Sequence, residues 1–289
     1  MKIHSVHLSF NGREPISNQV GCSTDLFFIG DIHGKHEYLS RALEIAREQN
    51  GKLICVGDLF DSYDRSLEDQ FKCVDIIAQN SDDILCIAGN HDLGYLDGFP
   101  TCSGRSFVTR FMMNSAIPNV GISYSRWIST LPHIFVVEFE IDDLNPCLVS
   151  HAGLTSQLLS NEQYNNFAFG SEVISVEEVI DLTQSVGSLN NGLLGVGNSR
   201  GGSEEVGGIF WCDLNDDFCP IPNISQIFGH TKVSQVYAVT EVLGNLNFAI
   251  DCLDSNPQIL HLSTKDGELK WFVVDIFPRL VASSTPGGC

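Results

Sequence analysis

The sequence predicts an α/β fold, and three observations lead there. Apolar runs at residues 26–29, 53–56 and 84–88 read as buried strands, because a strand covered on both faces is apolar along its whole length. Segments of helical character at residues 36–48 and 68–79 separate them, so the order is β-α-β-α-β. Each strand runs into a short polar loop: Gly30-Asp31-Ile32-His33-Gly34, Gly57-Asp58-Leu59-Phe60-Asp61 and Gly89-Asn90-His91-Asp92. Right-handed crossovers make such strands parallel and bring all three loops to one carboxyl edge of the sheet, where open α/β sheets bind ligands.

The other elements follow in order. Residues 1–24 form an N-terminal strand, about residues 3–9, and a polar lead-in with Gly12, Pro15, Asn18 and Gly21 that reads as an edge hairpin or a disordered stretch. In the first polar loop Asp31 and His33 alternate along an extended segment, which sends both side chains to the same side. Residues 105–114 read as a helix in which Phe107, Phe111 and Met112 have core spacing. Residues 125–131 predict another helix ending at Pro132, and residues 134–141 and 146–149 predict strands, the second delivering Ser150-His151. Residues 154–208 read as a variable insertion: one or two helices over residues 162–186, then eight glycines from Gly187 to Gly208. That stretch has neither the Gly-Lys-Ser/Thr end of a P-loop nor a dinucleotide fingerprint, which leaves a flexible surface loop or a substrate loop carrying Arg200. A strand at residues 224–228 delivers Gly229-His230; residues 235–240, 246–250, 258–262 and 269–274 read as antiparallel strands of a second sheet, and residues 283–289 as a flexible tail.

Size and charge narrow the function. With 289 residues, 43% of them hydrophobic, the chain reads as a single domain over residues 1–289 with a sizeable core. No apolar run approaches the roughly 18 residues of a membrane span, and a formal charge of −20 argues against affinity for nucleic acid or anionic membrane. The ten cysteines contain no Cys-x-x-Cys pair and scatter through core elements, as free thiols do in a reducing compartment; cytoplasm is the expected location. Asp31, His33, Asp58 and Asn90 offer two carboxylates, an imidazole and an amide oxygen, a mixture suited to manganese, iron, zinc or a similar ion. One such loop alone is usually a turn with a solvated carboxylate. Three in order, each at a strand end, reverse that reading.

Taken with Ser150-His151-Ala152-Gly153 and Phe228-Gly229-His230-Thr231, these loops make the chain resemble the calcineurin-like metallophosphoesterase superfamily. It is most similar to the branch of Ser/Thr phosphoprotein phosphatases and diadenosine tetraphosphatases, and residues 127–132 and 209–213 resemble further segments of that branch. The resemblance implies a four-layer αββα sandwich of two mixed β-sheets flanked by helices. It also implies two divalent metal ions, manganese first, with Fe, Zn²⁺, Co²⁺ or Ni²⁺ as alternatives. One ion would take Asp31, His33 and Asp58, the other Asp58, Asn90, His151 and His230. A hydroxide bridging the ions would attack phosphorus while His91, partnered by Asp61, protonates the leaving group.

Three positions depart from the resembled pattern. Many members continue Gly-His-x-His, but Lys232 stands at the second histidine, an absence shared by the phosphoprotein phosphatase branch. Those phosphatases place an arginine directly after the aspartate; here Ser62 follows Asp61, which leaves Arg65, Arg105 and Arg200 as rival phosphate-binding residues. Asp92 occupies a position that usually carries Glu. The expected function is hydrolysis of phosphomonoesters, first as a Ser/Thr phosphoprotein phosphatase acting on a phosphorylated protein or a small phosphate ester. A diadenosine tetraphosphatase or another nucleotide pyrophosphohydrolase is the alternative. An inactive scaffold that binds protein partners is the reading of another class, and it expects lost ligands where this chain keeps the whole set.

Overall fold

The computed structural model describes residues 1–8, 16–102, 107–169, 173–188, 192–242 and 245–277. The chain opens with an antiparallel hairpin of β1 (Lys2–His7) and β2 (Ile16–Cys22). The β-α-β-α-β unit comes next: β3 (Asp25–Ile29), α1 (His36–Glu48), β4 (Lys52–Cys55), α2 (Leu67–Gln79) and β5 (Ile84–Cys86). Three short helices, α3 (Asn90–Leu93), α4 (Phe107–Met112) and α5 (Tyr124–Ile128), lead to β6 (Ile134–Glu138) and β7 (Cys147–Val149). After α6 (Asn161–Phe169) and α7 (Val176–Ser188) come β8 (Ser225–Phe228), β9 (Tyr237–Val242), β10 (Asn245–Ala249), β11 (Gln258–Ser263) and β12 (Lys270–Asp275). None of the described helices is long and apolar enough to cross a membrane.

The strands form two mixed sheets, ordered β2-β1-β6-β7-β8-β10-β9 and β12-β11-β3-β4-β5. As the crossovers require, β3, β4 and β5 are parallel, with β4 between its neighbours. The last four strands do not share a sheet, contrary to the expectation from their alternation. β9 and β10 extend the seven-stranded sheet, β10 running parallel to β8, while β11 and β12 add antiparallel to the edge of β3. Alternation tells which face of a strand is buried, not which of two sheets has a free edge for it.

Phe28, Ile54 and Leu260 of one sheet meet Ile3, Phe135, Ile227 and Phe248 of the other in an apolar layer. A wholly buried side chain such as Phe28 contributes about 1.5–3 kcal/mol relative to exposure. The alternate residues Phe27, Ile29, Leu53 and Cys55 face outward among Leu39, Ala42 and Ala46 of α1 and Val74 and Ile77 of α2. In α1 the buried positions Leu39, Ala42, Leu43 and Ala46 recur at helical spacing, and Ser66 caps α2 by accepting a hydrogen bond from the Asp69 amide. Val179 and Val186 of α7 join the same cluster as Ile134 and Val136 of β6, so helices cover both outer faces. The expected αββα sandwich is the result.

One core assignment is overturned. Phe107 and Phe111 of α4 are 83% and 72% exposed, while Thr109 and Met113 are the buried residues of that turn. A helix of six residues presents an i, i+4 pair to solvent as readily as to the core, so spacing alone did not decide its face.

His133 shows how neighbouring strands of one sheet, β1 and β6, are joined outside the site. The Leu8 amide donates to its Nδ1 at 2.9 Å, and its own amide donates to the Val6 carbonyl at 2.9 Å. Burial, with a smaller repulsion from His7, pushes its pKa down to about 4. An unfolded histidine titrates near about 6.5. Between those values the unfolded state binds more protons, so this stabilisation is complete above about pH 6.5 and is lost as pH falls towards 4. His133→Asn keeps an acceptor for the Leu8 amide without the titration. Its thermal unfolding midpoint is expected to drop less between about pH 6.5 and 4 than the parent's; equal slopes would contradict the assignment.

Candidate metal centre

The polar loops converge because their backbones touch. A Cβ on Gly57 would collide with the Gly89 amide, and a Cβ on Gly89 with the Asp58 carboxylate, so the second and third loops pack together only as glycines. Asp92 stitches them: its Oδ1 accepts from the Leu59 amide at 2.8 Å and its Oδ2 from the Gly89 amide at 2.9 Å. The Ile32 and His33 amides donate to the Asp58 carbonyl at 3.0 and 2.8 Å, tying the first loop to the second. The His91 amide, at the start of α3, donates to Asp58 Oδ1 at 2.9 Å. Opposite, the His230 amide donates to Asp31 Oδ1 at 3.0 Å, which joins the end of β8 to the end of β3.

This convergence strains the backbone. His33, Asp58, Asp61 and His230 have φ of +41°, +51°, +64° and +66°, four of the eight non-glycine residues with positive φ among those described. Such conformations cost of order 1–3 kcal/mol each and persist only where the surroundings hold them. The extended path expected for residues 31–33 is therefore not the one taken. A left-handed turn at His33, held by the Asp58 carbonyl, brings its ring to the side of Asp31.

Two donor sets result, and Asp58 belongs to both. Ligand atoms of Asp31, His33 and Asp58 lie within 4.8 Å of one another, and so do those of Asp58, His151 and His230. His33 Nδ1 meets the Phe60 carbonyl at 2.5 Å and His151 Nδ1 the Val56 carbonyl at 2.9 Å. With those nitrogens donating, each Nε2 turns its lone pair inward. His151 Nε2 then stands 2.7 Å from Asn90 Oδ1, 3.2 Å from His230 Nδ1 and 3.4 Å from Asp58 Oδ2. His230 Nε2, on the far side of its ring, is buried without a partner. Oxygens and ring nitrogens crowded at such distances need a proton or a cation between them, and this mixture of O and N donors fits a divalent ion such as Mn²⁺, Fe²⁺ or Zn²⁺.

The titrations of the cation-free protein express the same need. Burial would raise Asp58, but His151, His91 and His33 hold its carboxyl well below the usual range. Burial, aided by Asp58, pushes Asp31 up to about 7. His151 is drawn down by burial, yet Asp58 and Asp31 lift it to about 10. His230, buried beside His151 and Arg200, is pushed well below its ordinary value.

Next to these sets His91 Nδ1 donates to Asp61 Oδ2 at 2.9 Å, and the Tyr95 hydroxyl donates to the other oxygen of Asp61. Burial opposes charge on His91, but Asp58 and the bond to Asp61 raise it to about 9, so the ring carries a proton. Both residues line a cavity of about 730 Å³ together with Asp31, His33, Asp58, His230, Lys35, Arg200 and Lys232. Of the three arginines, Arg200 reaches this cavity. Its Nη2 lies 2.8 Å from Asp213 Oδ2 and 2.7 Å from Thr231 Oγ1, and its Nε is buried without a partner. Arg65 instead pairs with Glu37 at 2.6 Å and is not among the described residues of the cavity wall, and Arg105 lies outside the described residues. The glycine-rich segment around Arg200 is tied down by buried Asp217, which accepts from Ser199 Oγ and from the Gly207 and Asp213 amides at 3.0 to 3.1 Å.

Sequence reasoning missed Tyr95, Asp217 and Lys35. Tyr95 lies four residues after His91, a helical spacing that signals adjacency. Lys35 directly follows the first loop. Asp217 sits in irregular chain with no periodic signal, and nothing short of the fold reveals its role.

Fold and site together define a metal-binding α/β sandwich with a histidine–aspartate pair beside the candidate metal ligands. Residues 25–234 match the model of the calcineurin-like phosphoesterase family, and the chain belongs to that family. Among solved structures it is similar to a protein assigned provisionally as a diadenosine tetraphosphatase, at 18% identity and TM-score 0.45, over 88% of this chain and 95% of that one. It is also similar to a protein serine/threonine phosphatase from Saccharomyces cerevisiae, described as having similarity to human phosphatase PP5, at 13% identity and TM-score 0.45, over 88% and 81%. A further likeness is to an archaeal phosphodiesterase, at 14% identity and TM-score 0.34, over 86% and 99%. No curated protein sequence matches the chain.

The Asp92 stitch can be tested by itself. Asp92→Ala leaves the Leu59 and Gly89 amides without acceptors, each worth about 1–3 kcal/mol when buried. Urea unfolding is expected to show a loss of that size, and a variant as stable as the parent would rule the role out.

Proposed function

We propose that this protein is a dinuclear metal-dependent phosphoesterase that hydrolyses phosphomonoesters, with phosphorylated protein as its first substrate class and manganese as its first metal. The observation that carries this reading is the pair of donor sets sharing Asp58 beside the His91–Asp61 pair. Asp31, His33 and Asp58 would hold one ion, and Asp58, Asn90, His151 and His230 the other. Once bound, such ions supply Lewis-acid polarisation of the phosphoryl oxygens and a water acidic enough to act as nucleophile near neutral pH.

The chain's own residues do the rest. His91 gives its Nε2 proton to the departing ester oxygen, which would otherwise leave as an alkoxide. Asp61 holds the Nδ1 proton, fixes the ring and balances its charge, and the Tyr95 hydroxyl keeps Asp61 oriented. Arg200 lines the cavity and binds a phosphoryl oxygen there through its guanidinium. Lys35 and Lys232 on the same wall favour a second reading, a dinucleoside polyphosphate whose additional phosphates they would meet. The nine described cysteines are all unpaired, which supports a reducing compartment such as the cytoplasm.

Phosphate release from a phosphoserine peptide and cleavage of diadenosine tetraphosphate, each with added Mn²⁺, separate the two readings; turnover of neither would sink both. Asp58→Asn is expected to lose bound metal and activity together, read by elemental analysis and by turnover. His91→Asn is expected to keep its metal while kcat falls by roughly 10²- to 10⁴-fold; an unchanged rate on an alkyl phosphomonoester would remove the acid role. Arg200→Ala forfeits a charge-assisted hydrogen bond of about 1.5–3 kcal/mol, which predicts a loss of roughly 10- to 150-fold in kcat/KM.

A further inference from the structure

Asp251 is a buried acid on the wall of the metal cavity. It follows β10 at the carboxyl edge, lines the metal cavity and is 5% exposed, yet its carboxylate accepts no hydrogen bond from a described residue. It shares the wall of that cavity with Asp31, His33 and Asp58.

Two constraints hold it there. A Cβ on Gly30 would collide with the Ile250 carbonyl and come within 2.8 Å of Asp251 Cα, so the backbone just before Asp31 lies against the backbone of Asp251. Three residues on, Asp254 is clamped between Lys35 Nζ at 2.8 Å and Lys232 Nζ at 2.5 Å, and the Val233 amide donates to the Asp251 carbonyl at 2.9 Å. Lys232, which stands where a second histidine would follow His230, thus contributes no metal donor and instead pins the loop that carries Asp251. Three carboxylates, Asp31, Asp58 and Asp251, line the one cavity, the first two sharing a donor set with His33. A buried carboxylate beside two others is strongly disfavoured unless a cation is shared among them.

We infer that Asp251 holds the ion of the Asp31–His33–Asp58 set, directly or through one water, from the side that Lys232 leaves without a donor. This rests on the dinuclear reading above. It assigns a metal-site carboxylate that no local motif marks, and it makes that ion's retention depend on the loop at residues 250–254.

Calorimetric titration of the metal-free protein with Mn²⁺ tests it, with thermal unfolding as the check on folding. The parent is expected to bind two ions. Asp251→Asn is expected to bind one at parent affinity and the other about 10- to 100-fold more weakly, with Asp251→Glu restoring the second. Two ions at parent affinity in a folded Asp251→Asn protein overturn the inference and leave the dinuclear reading standing. A parent that takes up no Mn²⁺ overturns both. Should the asparagine variant fail to fold, a crystal of the parent grown with Mn²⁺ decides: Asp251 bonded to the ion or to its water supports the inference, and Asp251 turned away towards Lys232 overturns it.

Discussion

Asp58 ends the central strand of the parallel unit, and its ionised carboxylate is buried where water does not compensate it. Two histidine-containing donor sets meet on this one group, so any positive charge that enters is shared between them. In the cation-free protein that charge is a proton, which is why His151 and His91 are raised while Asp58 is held low. A divalent ion answers the same demand with more charge, accepting the lone pairs that the protons would otherwise occupy. The affinity of the site for metal and the cost of leaving it empty are two expressions of one electrostatic constraint.

Holding these donors together requires a rigid frame, since like charges and strained turns would otherwise spread apart. The sandwich supplies it. An apolar layer between the sheets fixes the strand ends, the contact of Gly57 with Gly89 closes the gap between two loops, and Asp92 ties both. Left-handed backbone at His33, Asp58, Asp61 and His230 persists because backbone hydrogen bonds on either side leave the chain no relaxed alternative. The strain is thus concentrated where the side chains must converge.

Around that frame the acidic chain places its cations selectively. Lys35, Lys232 and Arg200 line the cavity, each already paired with an aspartate, Asp254 for the lysines and Asp213 for the arginine. A phosphate bound there as proposed would compete with those carboxylates, so its recognition would involve exchange of partners rather than capture by free charge. The glycine-rich segment that delivers Arg200 follows the same logic. Its glycines permit tight turns, and Asp217 converts those turns into an ordered support.

Sequence alone determined the strand ends of the parallel unit and the polar loops that follow them. Alternation, apolar runs and short polar motifs are local properties, and the three successive strand–loop units left little freedom in where Asp31, Asp58 and Asn90 would sit. It did not determine which sheet receives β9 and β10, which face α4 shows to solvent, or that His33 turns left-handed. Nor did it separate Arg65 from Arg200, settle the role of Asp251, or mark Asp217. Each of these depends on contacts made far away in the chain: Gly30 lies against Ile250 and Asp251, and Arg200 donates to Thr231. Contacts of that kind exist only once the sheets have closed, because until then no local energy distinguishes one pairing from another.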